Sequence, residues 1–570
     1  MTHEKTQSPP RRPNILWITT HDINPHLGCY AGAYPGAEHA VTPHLDDLAS
    51  EGLRFDNAFA SAPICAPSRS AIITGCHPAS IGTIHMRSKA VPPAGVRMFT
   101  EHFREAGYYV TNNSFTDFQM ATPSSAFDEC SDTAHWRDRP DPDQPFFATF
   151  HGLITHESQI HLDDESFEER VPHVRPEDRH APEDVELPPY YPDTQVFRVA
   201  WARYLDLIGE MDHWVGTILQ QLEDDGLAQS TIVVFWSDHG RGMPRAKRWA
   251  NDSGLHEPLI IRWPGRITPG TRTEALVHLM DLAPSMLAAA GLEIPDHMQA
   301  RPFLDSSGRL DEHTNAYIFA SRDRMGDLHD MSRTVRDSRY RYIRHYHPDR
   351  SPMQHCTYPD GLSTWAEMRR LATAEVTQRA IGDLPSSLTP LQRTLVAPSK
   401  PEEELYDLLE DPHEEHDLAG DREHTETLAR LSTALTDWQE QIGDLGFLTE
   451  DELQERWRPG GDWPRTPEPE VVVAHGAVEA RCSESSATII WTDDPPAAHE
   501  PEVPPSAADS MGSPRNAIGS PVPDGRAWRI HCPVSPIPAD RPAWVRAVRL
   551  GWQPSADVAV AVAVAVAVGS

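Results

Sequence analysis

The chain has few cysteines, a shortage of positive charge and no long apolar run, and each absence excludes something. Its seven cysteines, Cys29, Cys65, Cys76, Cys130, Cys356, Cys482 and Cys532, are odd in number, scattered and never spaced as CxxC. That argues against a zinc ribbon or a disulfide scaffold. Fifty Lys and Arg face 85 Asp and Glu, a formal net charge of -35. No nucleic acid or membrane partner is therefore expected, and an anionic substrate must be attracted locally. No apolar stretch reaches the length that spans a bilayer. Residues 1–12 are polar and proline-bearing and read as a disordered N-terminus without the apolar centre of a secretory leader, so a cytoplasmic location is expected.

At 570 residues the chain is too long for one core. Two short apolar runs stand out: Asn14 to Thr20, which stops at His21-Asp22, and Thr231 to Trp236, which stops at Ser237-Asp238-His239-Gly240. Both read as strands buried on two faces, the pattern of a parallel sheet in an α/β fold. Sites in such sheets form beyond the carboxyl ends of the strands, where these polar clusters fall. Between the runs, Tyr204, Leu207, Ile208, Met211, Val215, Ile218 and Leu222 recur at helical spacing in a helix from about Gln195 to Leu222. The Asp-, Glu-, His- and Pro-rich stretch from Glu157 to Pro192 reads as a long loop with solvated histidines.

Cys65 opens the run Cys65-Ala66-Pro67-Ser68-Arg69, followed by Thr74-Gly75. Pro67 suits a first helical turn and Gly75 can end the helix. Residue 65 then sits at a helix N-terminus, where unpaired backbone N–H groups favour an anion. Arg69 adds a fork of donors one turn on. An oxyanion of sulfur or phosphorus would fit there.

The run resembles the signature of the sulfatase family, in which a maturation enzyme oxidises the cysteine to the aldehyde formylglycine. The resemblance extends from about Arg12 to Asp451, through Phe146 to Phe150, Thr155-His156, Ser237 to Gly240, Lys247 and Pro258 to Gly265. It implies an alkaline-phosphatase-like α/β catalytic domain over residues 13–325 and a smaller α+β subdomain over 326–458. In the subdomain, residues 335–343 suggest a hairpin, Glu404 to Pro412 a strand and turn, and Thr425 to about Ile442 a final helix. After Pro459, short strand candidates split by a proline-rich insert resemble the small β-sandwich appended to some chitobiases and bacterial sulfatases, over residues 465–557. Residues 558–570 form a low-complexity Val-Ala tail, more a β-aggregation risk than a functional element.

Carried over position by position, the resemblance makes Asp22, Asp238 and His239 ligands of a divalent cation, normally calcium or magnesium. Arg69 and Lys247 would neutralise sulfate oxygens, and His156 would stand near the leaving oxygen as general acid. His85, Arg87 and, in the basic stretch Arg241 to Arg248, Arg245 are candidate substrate contacts. The implied partner is a small sulfated substrate, preferably a sugar. Two positions depart from the pattern: His21 stands where a second acidic residue usually ends the metal strand, and Phe115 stands where a lysine usually approaches the sulfate. His21 would join the metal shell, and two Asp with two His suit zinc or manganese better than calcium. That leaves open a phosphoester or phosphonate hydrolase of the same superfamily, and an inactive homologue that only binds sulfated ligands.

Overall fold

The computed structural model describes residues 12–311, 313–381, 387–474, 477–496 and 526–560. Most of the expected disordered N-terminus, much of the proline-rich insert and residues 561–570 of the Val-Ala tail lie outside the described residues. The chain folds as α/β. Its main sheet is built from Asn14–Thr20 (β1), Leu53–Phe59 (β2), Tyr109–Asn113 (β3), Glu129–Cys130 (β4), Phe146–His151 (β5), Thr231–Ser237 (β6), His256–Arg262 (β7) and Thr271–His278 (β8), in the order β4-β3-β5-β1-β6-β7-β2-β8. All strands run one way except β7, which is antiparallel to both neighbours.

Every residue of β1 and of β6 is buried, so these apolar runs form the middle of the sheet. The strand period of two divides β1 between two cores: Ile15 and Trp17 enter one, Leu16 and Ile18 the other. In the first, Trp17 meets Phe99, Phe147 and Trp236 at centroid distances of 5.2, 5.1 and 5.5 Å, contacts that contribute about 1 kcal/mol each beyond burial. In the second, the helix Gln195–Asp224 covers the sheet with the apolar face that its sequence period foretells. β1 and β6 pair in step from Asn14↔Thr231 to Thr20↔Ser237. His21-Asp22 and Asp238-His239 therefore leave the sheet side by side.

The stretch after Glu157 is less loop-like than its composition suggests, with short helices at Glu157–Ile160 and Asp164–Glu168. Two of its histidines are tied down: His173 pairs with Glu210 at 2.7 Å and His180 with Asp206 at 2.8 Å, both carboxylates of the long helix. This corrects the expectation that they are merely solvated.

A second, antiparallel sheet has the order β12-β11-β10-β9, from Ile318–Arg322 (β9), Ser332–Arg336 (β10), Tyr340–His345 (β11) and Glu403–Asp407 (β12). β9, which precedes residue 325, pairs with β10 within this second sheet. The helix Thr425–Ile442 buries Leu431, Leu435 and Trp438, with Trp438 stacked on Phe319 at 4.9 Å, and ends at Gly443 with φ +64°.

Further on, Glu470–Ala474 (β13) pairs with Ala477–Arg481 (β14), and Thr488–Thr492 (β15), Arg529–Ile530 (β16), Ala543–Val548 (β17) and Val558–Val560 (β18) form a four-stranded sheet of order β16-β15-β17-β18. The start of the Val-Ala stretch is thus an edge strand and not tail, because it completes the ladder of β17. This unit touches the part built on the main sheet through Thr488 Oγ1, which donates to Glu101 at 2.8 Å, and Gly551 N, which donates to Ala121 O at 3.2 Å. Among the described residues no helix is long and apolar enough to cross a membrane.

Candidate active site

Cys65 is the first residue of a helix, Cys65–Thr74, whose ten residues are all buried. Ile64 precedes it in extended conformation and supplies no side-chain cap, so first-turn N–H groups remain open to an acceptor. Gly75 ends the helix with φ +66°, a region that favours glycine. Ser68 Oγ donates to Asp238 O at 2.6 Å and ties the helix to the end of β6.

Around residue 65 the charges interlock. Cys65 Sγ lies 3.1 Å from His239 Nε2, and that nitrogen lies 3.2 Å from Asp22 Oδ1 and 3.6 Å from Asp238 Oδ1. His21 Nδ1 is 3.0 Å from Asp238 Oδ2. Lys247 Nζ reaches Asp22 Oδ2 at 2.8 Å and Glu157 Oε1 at 3.0 Å. Glu157 also accepts both terminal nitrogens of Arg248, at 2.8 and 2.7 Å, and its backbone N–H donates to Asp22 Oδ2 at 2.7 Å.

Burial alone would raise both aspartates, but the neighbouring ammonium and imidazole groups prevail. Lys247 leads in holding Asp22 below the usual carboxylate range, while His21 and His239 hold Asp238 well below it. Lys247 stays protonated, its burial outweighed by the carboxylates of Asp22 and Glu157. Burial pushes the Cys65 thiol well above its ordinary value. A buried, protonated thiol is a poor nucleophile.

The donor set fits a divalent cation. Ligand atoms of His21, Asp22 and Cys65 lie within 4.8 Å of one another, as do those of Cys65, Asp238 and His239 and those of Asp22, His156 and Glu157. Among the described residues, buried His21 Nε2 has no hydrogen-bond partner, and the buried Asp22 Oδ1 and Asp238 Oδ2 meet only the imidazoles of His239 and His21. Buried polar atoms of this kind call for a ligand, and two ionised carboxylates with two imidazoles are a competent one.

An anion pocket adjoins it. Arg69 donates through Nε to Thr116 O at 2.9 Å and through Nη2 to Phe115 O at 3.1 Å, leaving buried Nη1 without a partner. Its guanidinium lies 4.8 Å from the Phe115 ring, whose centroid is 4.7 Å from that of His21. The two departures from the family pattern therefore touch each other. His151, at the end of β5, bridges Arg69 Nη2 at 3.2 Å and Asn112 Oδ1 at 2.9 Å.

The other candidates fall at differing depths. His156 caps the helix Glu157–Ile160, with Nδ1 2.9 Å from Ser158 Oγ and its ring 6.3 Å from that of His21. Burial, helped by Lys247, lowers its pKa to about 4. Arg87, with φ +62°, faces the buried Asp117, which Arg69 and His21 also face. His85 is buried, accepts from Arg324 N at 3.4 Å and is pushed by burial to about 4. Arg245 donates to Glu414 O at 2.6 Å, meets Glu414 Oε2 at 3.5 Å and lies over the Tyr190 ring. Sequence reasoning did not single out Glu157, His151 and Asp117. Glu157 directly follows His156, and Asp117 ends the loop that contains Phe115; those adjacencies were the available signal.

A potential nucleophile at a helix start, a two-carboxylate, two-imidazole cluster and buried cations define a hydrolase of oxyanion esters on an alkaline-phosphatase-like sheet. The chain matches the family described as Sulfatase over residues 13–292 and the family described as N-sulphoglucosamine sulphohydrolase, C-terminal, over residues 244–389. It is 38% identical over 523 residues to an ulvan-active sulfatase of Formosa agariphila, covering 84% of each chain. It is 27% identical to human N-sulphoglucosamine sulphohydrolase, covering 76% of this chain and 92% of that one. Its fold matches that of a protein solved with its substrate D-glucosamine-2-N,6-O-disulfate, with a TM-score of 0.53 at 17% identity over 76% of this chain and 98% of the other. The chain belongs to the sulfatase family and is a sulfuric ester hydrolase.

Proposed function

We propose that the protein removes sulfate from a sulfated sugar and that Cys65, once oxidised to formylglycine, provides the nucleophile. The observation that carries this reading is the placement of Cys65 Sγ 3.1 Å from His239 at a buried helix N-terminus. The sulfur stands where the oxygen of the modified side chain would be. Relatives that act on ulvan and on N-sulphoglucosamine support a saccharide. Cys65, Pro67 and Arg69 are all buried in the folded chain, so the maturation enzyme would have to read them before folding.

The hydrated aldehyde supplies one hydroxyl to attack sulfur and a second whose proton loss later expels sulfate and restores the aldehyde. His21, Asp22, Asp238 and His239 would hold a divalent cation, which supplies Lewis-acid polarisation of the sulfate. Their mixed oxygen and nitrogen donors favour zinc or manganese over calcium or magnesium. Arg69 Nη1, with no partner of its own, is placed to donate to a sulfate oxygen, and Lys247 fixes Asp22 while adding positive charge. His156 is neutral near pH 7, and a bound anion beside it favours the protonated form that a general acid needs.

The test is turnover of sulfated monosaccharides and 4-nitrophenyl sulfate by protein produced with the maturation enzyme, with and without chelator. Chelator-sensitive sulfate release from a sugar is expected. His21 favours one second reading, a phosphoester or phosphonate hydrolase with a softer metal. Faster turnover of 4-nitrophenyl phosphate together with an unmodified Cys65 would replace the first reading with that one.

A further inference from the structure

A cavity of about 390 Å³ lies between the loop after β6 and the second sheet, lined by none of the residues that surround Cys65. The loop serves both places. Lys247 and Arg248 extend to Asp22 and Glu157, whereas Arg245, Trp249 and Asn251 line the cavity. Across from them stand Arg322 of β9, His345 of β11, Glu404 of β12 and Lys400.

Among these cations Arg322 is underused. Arg322 is 4% exposed, and its Nη1 donates to Asp330, but its Nε and Nη2 are buried without a partner. Asp330 Oδ2 must also serve Lys400 Nζ at 3.0 Å, so one carboxylate answers two cations. Arg245 shares Glu414 with Arg341. Among the lining residues Arg245, Arg322 and Lys400 face a single carboxylate, Glu404, which His345 already meets at 3.1 Å. Leaving these two guanidinium nitrogens buried and unmet is costly. In a chain of net charge -35, a pocket with this excess of donors is a local construction. Its volume is that of a small-molecule site, and Trp249 and Tyr406 offer aromatic faces beside the polar groups.

We propose that this cavity is a second anion site, in which Arg322 Nη2 and Nε bind the oxyanion of a sulfate or carboxylate group. Two sources share that chemistry: free sulfate released by the reaction, and an acidic residue of a longer saccharide. Either would stabilise the loop that carries Lys247. The site does not depend on which sugar is hydrolysed at Cys65.

The experiment combines location with titration. Crystals of the full chain soaked in selenate should show an anomalous peak at Arg322, distinct from any peak at Arg69. Calorimetric titration with inorganic sulfate, and separately with glucuronate, should register a binding event that Arg322→Met abolishes. Thr394→Trp, which plugs the mouth from an exposed position and leaves the buried ion pairs intact, should abolish it too. A response to sulfate alone assigns the released product, and a stronger response to glucuronate assigns the saccharide. No peak at Arg322, or binding unchanged in Thr394→Trp, would overturn the proposal, even if Arg322→Met fails to fold.

Discussion

Replacing Lys247 by methionine separates catalysis from scaffolding. The ammonium group is buried and contacts two carboxylates, Asp22 Oδ2 at 2.8 Å and Glu157 Oε1 at 3.0 Å. Breaking a buried ion pair by removing one partner typically costs about 3–5 kcal/mol. Here the orphaned carboxylates keep other donors: Glu157 retains both nitrogens of Arg248, and Asp22 retains the Glu157 N–H. The stability loss should therefore sit at the low end, roughly 3 kcal/mol. Catalysis should suffer separately, because a preorganised cation at developing negative charge is worth roughly 10²–10³ in kcat. The assay is steady-state hydrolysis of 4-nitrophenyl sulfate beside chemical denaturation of the same preparation. Lys247→Arg should recover most of the stability and part of the rate. If Lys247→Met loses stability yet keeps kcat within a few-fold of wild type, the lysine is scaffold only and the proposed charge stabilisation is wrong.

Cys65→Ala should abolish turnover while leaving the melting transition nearly unchanged, since the side chain is small and its hydrogen-bond contact among the described residues is His239; peptide mass and activity measured on one preparation decide this. His21→Asp should shift metal preference from zinc or manganese toward calcium, seen by reactivation of chelated enzyme with each ion in turn. Phe115→Ala should free the Arg69 guanidinium from the ring 4.8 Å away, and a raised KM with less change in kcat is the expected readout. Acid stability should reflect His77, whose burial lowers its pKa from 6.5 to about 3. As pH falls below 6.5 the unfolded chain takes the proton first, so the full stabilisation present above pH 6.5 is lost progressively toward pH 3, by about 3 kcal/mol at pH 4. His77→Gln should flatten the denaturation free energy across that range, and an unchanged slope would show that His77 is not the group responsible.

The sheet was legible because its central strands are apolar on both faces and their polar exits are short and abrupt. The helix 65–74 and the helix Gln195–Asp224 were legible because Pro67, Gly75 and a sustained 3.6 period mark them locally. What sequence could not supply was pairing across distance. Arg245 stands two residues from Lys247, yet it belongs to Glu414, and no local pattern announces a carboxylate so far along the chain. Nothing local assigns residues 318–322 to the second sheet; only the ladder of β9 with β10 does.

His21 and Phe115 show the same limit most sharply. Each reads as an isolated departure, one removing an anion from the metal shell and the other a cation from the anion pocket. In the structure their rings meet edge to face at 4.7 Å, and the Phe115 ring also carries the Arg69 guanidinium at 4.8 Å. A lysine at position 115 would add a cation beside Arg69, and an aspartate at position 21 would give that cation its counter-charge. The imidazole and the phenyl ring replace that ionic pair with an aromatic contact and leave Arg69 as the cation. Restoring either charge alone would leave it without that counter-charge, so His21→Asp with Phe115→Lys should be better tolerated together than the sum of the single variants implies. A double-mutant cycle on denaturation free energy measures that coupling, and additivity within about 0.5 kcal/mol would show the two positions to be independent.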